Sequence, residues 1–286
     1  MELGATGVWS GPLRRHQDAG ERADAAAELE DLGYGTLWIP GGRGGDILDD
    51  CEVLLGATSR AVVAVGILNI WMHDPAEVAV GHHRLADRWG HRFLLGLGIS
   101  HVELVGKRYM RPYSAMVEFI DALDQAQPRV PADERIIAAL GPRMLGLCAE
   151  RSLGTHPYNT MPSHTREARE VLGPGPIVAP EQAVVLETDP ATARAVARES
   201  LANHLTRPNY INQWRRHGFT DDDLRDGGSD RLIDALVAWG DEEAIRARVQ
   251  EHRAAGADHV CVQVFPGTQG LPRESWRRLA AALIDR

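Results

Sequence analysis

The stretches ELEDLGYGTLWI, residues 28–39, and EHRAAGADHVCVQV, residues 251–264, share one pattern. Each begins with a helical segment that stops at a glycine, Gly33 or Gly256, and then enters an apolar, β-rich run within a few residues. A glycine just past the last helical turn suits a left-handed C′ position, and the link that follows has the length of an αβ loop. The same exchange recurs along the chain. Apolar runs at Leu3–Trp9, Thr36–Ile39, Ala61–Leu68, Arg92–Leu97, Arg135–Ala139, Leu153–His156, Gln182–Glu187 and His259–Phe265 alternate with helical segments such as Asp18–Leu32 and Pro75–Trp89. Asp74 is placed as the N-cap of the second of these helices, with Pro75 in its first turn. Eight strands in α/β alternation predict a (β/α)8 TIM barrel whose first and last strands pair to close it. The region Arg194–Trp239, helical with polar breaks at Arg207-Pro208-Asn209 and Asp221–Asp230, reads as a helical insertion before the last strand. No linker-like stretch divides residues 1–286, so a single barrel domain is expected.

Composition narrows the function classes. With 44% hydrophobic and 25% charged residues, the 286-residue chain fits an ordinary globular protein and excludes collagen-like or disordered readings. A net charge of −9 opposes attraction to nucleic acid or an anionic membrane. Cys51, Cys148 and Cys261 are widely spaced and odd in number, as expected of free thiols in a reducing compartment. There is no long apolar run and no signal-like start, so a cytoplasmic protein is expected.

Barrel enzymes place their chemistry at the C-terminal ends of the strands. Those positions carry Pro40–Asp46 after the second strand, Asn69–His73 after the third and Gly98-Ile99-Ser100-His101 after the fourth. Leu140-Gly141-Pro142-Arg143 follows the fifth, and His156-Pro157-Tyr158 the sixth. Glycines admit a flat ring or phosphate close to the backbone, while His101 or His156 could move a proton near neutral pH. Gly141-Pro142-Arg143-Met144 opens a helix, whose free N–H groups suit a phosphate and to which Arg143 could add a charge-assisted bond; it reads equally as a plain strand-to-helix turn. Trp9, Trp38 and Trp71 stand at strand ends, either walling a pocket or filling core. The histidines at 73, 82, 83 and 91 lack metal-ligand spacing, so no metal is expected. No dinucleotide fingerprint, P-loop or nucleophile elbow is present.

The segments LGYGTLWI, ATSRAVVAVGILNIW, HDPAEVAVGHHRLADRWGHRFLLGLGISH, LGPRMLGLCAERSLGTHPY and GDEEAIRARVQEHRAAGADHVCVQV appear in an order that resembles the luciferase-like monooxygenase superfamily, in particular its coenzyme F420-dependent oxidoreductases. The resemblance implies a barrel that holds a deazaflavin, or alternatively FMN, at its C-terminal mouth. It implies that Gly66, Ile67 and Asn69 form a bulge under the cofactor ring, with a non-prolyl cis peptide at Gly66–Ile67. It implies that Gly98 and Ser100 lie beside the ring, that Gly141, Pro142, Arg143 and Met144 hold the phosphate, and that His156 stands near the cofactor side chain. The implied reaction is hydride transfer between the deazaflavin C5 and a small organic substrate. Two alternatives stand beside it: an FMN monooxygenase served by a partner reductase, and a cofactor-binding barrel without catalysis. Relatives often carry acidic or histidine residues after strand two and a Gly-Glu after strand four; here Pro40-Gly41-Gly42 and Ser100-His101 stand there, which leaves His101 as the acid/base candidate. A homodimer is the family's habit.

Overall fold

The computed structural model describes residues 1–41, 46–266 and 270–284. Of the loop expected after the second strand, Gly42, Arg43, Gly44 and Gly45 lie outside the described residues. The strands are β1 (Thr6–Trp9), β2 (Thr36–Ile39), β3 (Val62–Val65), β4 (Leu68–Asn69), β5 (Phe93–Gly98), β6 (Arg135–Ile137), β7 (Gly154–Thr155), β8 (Ile177–Val178), β9 (Glu181–Val185), β10 (Val237–Trp239) and β11 (Val260–Val264).

All pairings are parallel, and they run from β1 through β2, β3, β5, β6 and β7 to β8. β8 continues through Pro180 into β9, which pairs with β11, and β11 pairs with β1 at Thr6↔Val260. The sheet therefore closes on itself as the predicted barrel. Alternation along the strands sorts the core into two layers. Val63, Val65, Phe93, Leu95 and Leu97 face the surrounding helices, whereas Val62, Ala64, Leu94 and Ile136 point into the barrel.

Helix boundaries follow local chemistry. The Asp18 side chain accepts from the N–H groups of Gly20 and Glu21, and that of Asp74 from those of Ala76 and Glu77. Gly33 and Gly256 end their helices at φ +97° and +102°, the left-handed region expected of them.

Three departures matter. The predicted third strand is split into β3 and β4, with a cis peptide at Gly66–Ile67, the position named above. The seventh strand starts earlier than Gln182, as two pieces separated by Ala179-Pro180, because proline cannot donate to the ladder. The insertion is helical over Pro190–Leu201, Pro208–Arg216, Asp221–Leu224 and Asp230–Leu236, but ends in strand β10, which pairs with β9. Its side chains form a separate cluster around Leu201, Tyr210, Trp214 and Phe219.

The split strand rests against glycines of its neighbours. A Cβ on Gly96 would lie 1.7 Å from the Val65 carbonyl oxygen, and one on Gly98 would lie 2.4 Å from Ile67 Cδ1. Gly96→Ala should lower unfolding stability by about 2–3 kcal/mol or more, read from a urea titration, since backbone cannot yield as a flexible side chain does.

Candidate active site

A cavity of about 1180 Å³ opens at the carboxyl ends of the strands, reached by Trp9 at the end of β1, Asn69 of β4, Gly98 of β5, Ala138 after β6 and His156 after β7. It has the size and position of a cofactor and substrate cleft. Of the residues singled out from the sequence, Gly66, Ile67, Asn69, Gly98, Ser100, His101, Gly141, Met144 and His156 line it. Pro142 and Arg143 do not. Arg143 is exposed and lays its guanidinium over the Tyr113 ring, 3.8 Å from the centroid, a cation–π contact that turns it from the cleft.

One end of the cavity is fixed by a chain of rings inside the barrel. His259 donates from Nδ1 to the Gly4 carbonyl (2.7 Å), which leaves its Nε2 free to accept from Trp38 Nε1 at 3.0 Å. Trp38 in turn stacks on His156, centroid to centroid 4.0 Å and 13° from parallel. His156 Nδ1 lies 2.8 Å from the Ala179 carbonyl and must carry the proton there, so Nε2 is a bare acceptor; it is buried and meets no donor among the described residues. Burial holds His156 down to about 4, so the ring is neutral at pH 7. Gly66 lies directly against this nitrogen, since a Cβ there would come 2.8 Å from His156 Nε2 and 2.7 Å from Trp9 Nε1. Trp9 Nε1 donates to the Gly66 carbonyl at 3.3 Å. Trp9 thus walls the pocket, and Trp38 is core that orients His156. Trp71 is fastened through Nε1 to the Ile99 carbonyl at 2.8 Å.

At Gly141 nothing lies within 4 Å of where a Cβ would stand, and the residue caps the helix Pro142–Arg151. Arg216, from the insertion, donates to the neighbouring Leu140 carbonyl. Arg216 lines the cavity at this point, where Arg143 does not.

The opposite wall comes from the insertion. Asn209 donates to the Ser100 carbonyl at 3.2 Å and holds Ser100 at φ +54°, a left-handed conformation that is uncommon for a residue with a side chain. The His101 ring stands 5.1 Å from Tyr210, and its buried Nδ1 has no partner among the described residues. Burial, with the charge of Arg207 second, holds His101 down to about 4. Below the floor, burial pushes Glu181 up to about 8, so it is neutral at pH 7; its Oε2 accepts from the Asn159 N–H at 3.1 Å.

Asn203, His204, Arg207, Asn209, Tyr210 and Arg216 were not singled out from sequence as site residues, although all line the cavity. The one available signal was the polar break Arg207-Pro208-Asn209 within an otherwise helical pattern.

Residues 3–259 match the family described as luciferase-like monooxygenase. The chain belongs to that family. A Mycobacterium tuberculosis protein named as a coenzyme F420-dependent oxidoreductase is 27% identical over 161 residues, which span 54% of this chain and 44% of that protein. The coenzyme F420-dependent tetrahydromethanopterin reductase from Methanopyrus kandleri superposes with a TM-score of 0.76 at 16% identity, covering 99% of each chain. The oxygenating constituent of 3,6-diketocamphane monooxygenase from Pseudomonas putida, solved with FMN, superposes at 0.64 and 14% identity, covering 98% of this chain and 96% of its own. These structural likenesses establish the barrel fold.

In an NMR pH titration His101 should change protonation near pH 4 rather than near its ordinary 6.5. In Arg207→Gln the midpoint should rise while staying below 6.5, because removing the nearby cation relieves the charged form but leaves the ring buried.

Proposed function

We propose that this protein is a coenzyme F420-dependent oxidoreductase acting on a small organic substrate. The observation that carries the reading is the cleft end where glycine backbone, one bare imidazole acceptor and one open helix start converge. Gly66, Ile67, Gly98 and His156 line this end of the cleft, with Trp9, His156 and the Ile67 side chain packed against the two glycines, so that its wall is low and suits the face of a flat ring. The first turn at Gly141, with Arg216 beside it, suits an anionic phosphate through free N–H groups and a guanidinium. These residues fit the group, and relatives that share the fold are named for using it.

When bound, coenzyme F420 supplies a deazaflavin carbon that accepts or donates hydride. The chain supplies position and proton handling. Trp9, Ile67 and Met144 line the cleft with apolar surface that excludes water from the reacting face. Neutral at pH 7, His101 keeps one bare ring nitrogen that can take a proton from a substrate hydroxyl. A flavin reading has its own support, because an FMN-binding monooxygenase shares the fold.

Fluorescence titration of the purified protein with F420 and, separately, FMN tests the choice. F420 should bind at least tenfold more tightly, and Arg216→Gln should weaken it by about tenfold, the worth of one charge-assisted bond. Preference for FMN would move the protein to oxygen chemistry with a partner reductase. Firm F420 binding without turnover of any substrate in a broad panel would leave a binding barrel.

A further inference from the structure

The wall opposite the glycine bulge has a composition of its own. Tyr158, His204, Tyr210 and His101 form a continuous face of rings, with centroids 5.7 Å apart for Tyr158–His204, 5.5 Å for His204–Tyr210 and 5.1 Å for His101–Tyr210. Arg207 stands against this face. Its Nε donates to the Asn203 carbonyl at 3.1 Å, while its Nη1 is buried and meets no acceptor among the described residues. Burial keeps both His101 and His204 at about 4, so at pH 7 the positive charge on this wall belongs to Arg207. Among the described residues, the one acid lining the cavity is Glu103, which is exposed and forms no ion pair with Arg207.

Arg207 and Arg216 occupy opposite ends of the nine-residue helix Pro208–Arg216, the first as its N-cap and the second as its last residue. At 1.5 Å of rise per residue their backbone positions are separated by about 13 Å along the axis, and their guanidiniums are held by different carbonyls, Asn203 for Arg207 and Leu140 for Arg216. Arg15, Arg207 and Arg216 are the arginines that line the cavity among the described residues. Arg216 sits at the open helix start already described, and Arg207 sits beside His101 and the rings.

We propose that the substrate is a ring-bearing carboxylic acid, held by Arg207 through its carboxylate and by Tyr210 and His204 through its flat face. A planar guanidinium matches the two oxygens of a carboxylate, and aromatic faces take a flat ring in offset or tilted contact. The proposal rests on the reading of the Gly66–Gly141 end as the cofactor's place.

Ligand-observed NMR titration with benzoate and with benzamide, its neutral counterpart of the same shape, tests it on protein with and without F420. Benzoate should bind at least tenfold more tightly than benzamide. Arg207→Gln should erase that preference, Arg207→Lys should restore part of it, and F420 affinity should stay within twofold in Arg207→Gln. Equal binding of the two probes, or binding of neither, overturns the proposal. So does a tenfold loss of F420 affinity in Arg207→Gln with benzoate unaffected, which would assign Arg207 to the cofactor's own anionic groups. Wild-type protein that binds benzoate through Arg207 but does not bind F420 would remove the cofactor reading and leave the carboxylate site standing.

Discussion

The segment Val65–Ile67 passes so close to three glycines that side chains on them would occupy its space. Cβ atoms on Gly41, Gly96 and Gly98 would come 1.9 Å from the Ile67 carbonyl oxygen, 1.7 Å from the Val65 carbonyl oxygen and 2.4 Å from Ile67 Cδ1. Strands on both sides therefore yield volume at one level of the barrel, and β3 gives way to β4 there without leaving the sheet. Backbone rather than side chain forms the cavity wall at that level. His156 and Trp9 close on Gly66 from the barrel interior, and Trp38 and His259 hold His156 in place from below.

The other half of the cavity depends on a different kind of constraint. The insertion packs through its own apolar cluster, with Trp214 donating to the Asn159 carbonyl at 3.1 Å. That anchorage brings Tyr210, Asn209 and Arg207 over the loop after β5. One wall is thus rigid and glycine-lined, set by strand packing. The facing wall is aromatic and cationic, set by helices that dock onto the barrel. The division parallels the two tasks assigned to the cavity: holding a flat cofactor and selecting a substrate by charge and shape.

Much of the barrel was legible because parallel strands buried on both faces read as apolar runs, and glycines at 33 and 256 mark where helices hand over to strands. The strand-end positions inherit that legibility. Gly98, His101, Gly141 and His156 could be named once the strands were placed, because a barrel presents strand ends to one face, whereas Gly66 was named through the family resemblance alone. Val237–Trp239 was hidden because three residues following a helical pattern carry no period of their own. The direction of Arg143 was not legible, because spacing places a residue on a helix but does not say that its guanidinium lies over Tyr113. Arg207 and Tyr210 were out of reach for a further reason: they enter the cavity through docking of the insertion, which no local pattern encodes.

The most direct test of this account is a crystal structure of the protein grown with F420. The account requires the deazaflavin ring to lie against the Gly66–Ile67 segment, the phosphate to sit at the first turn after Gly141 near Arg216, and Arg207 to remain clear of the cofactor. A ring bound on the Tyr210 wall, or an anionic tail gripped by Arg207 with nothing at Gly141, would contradict it.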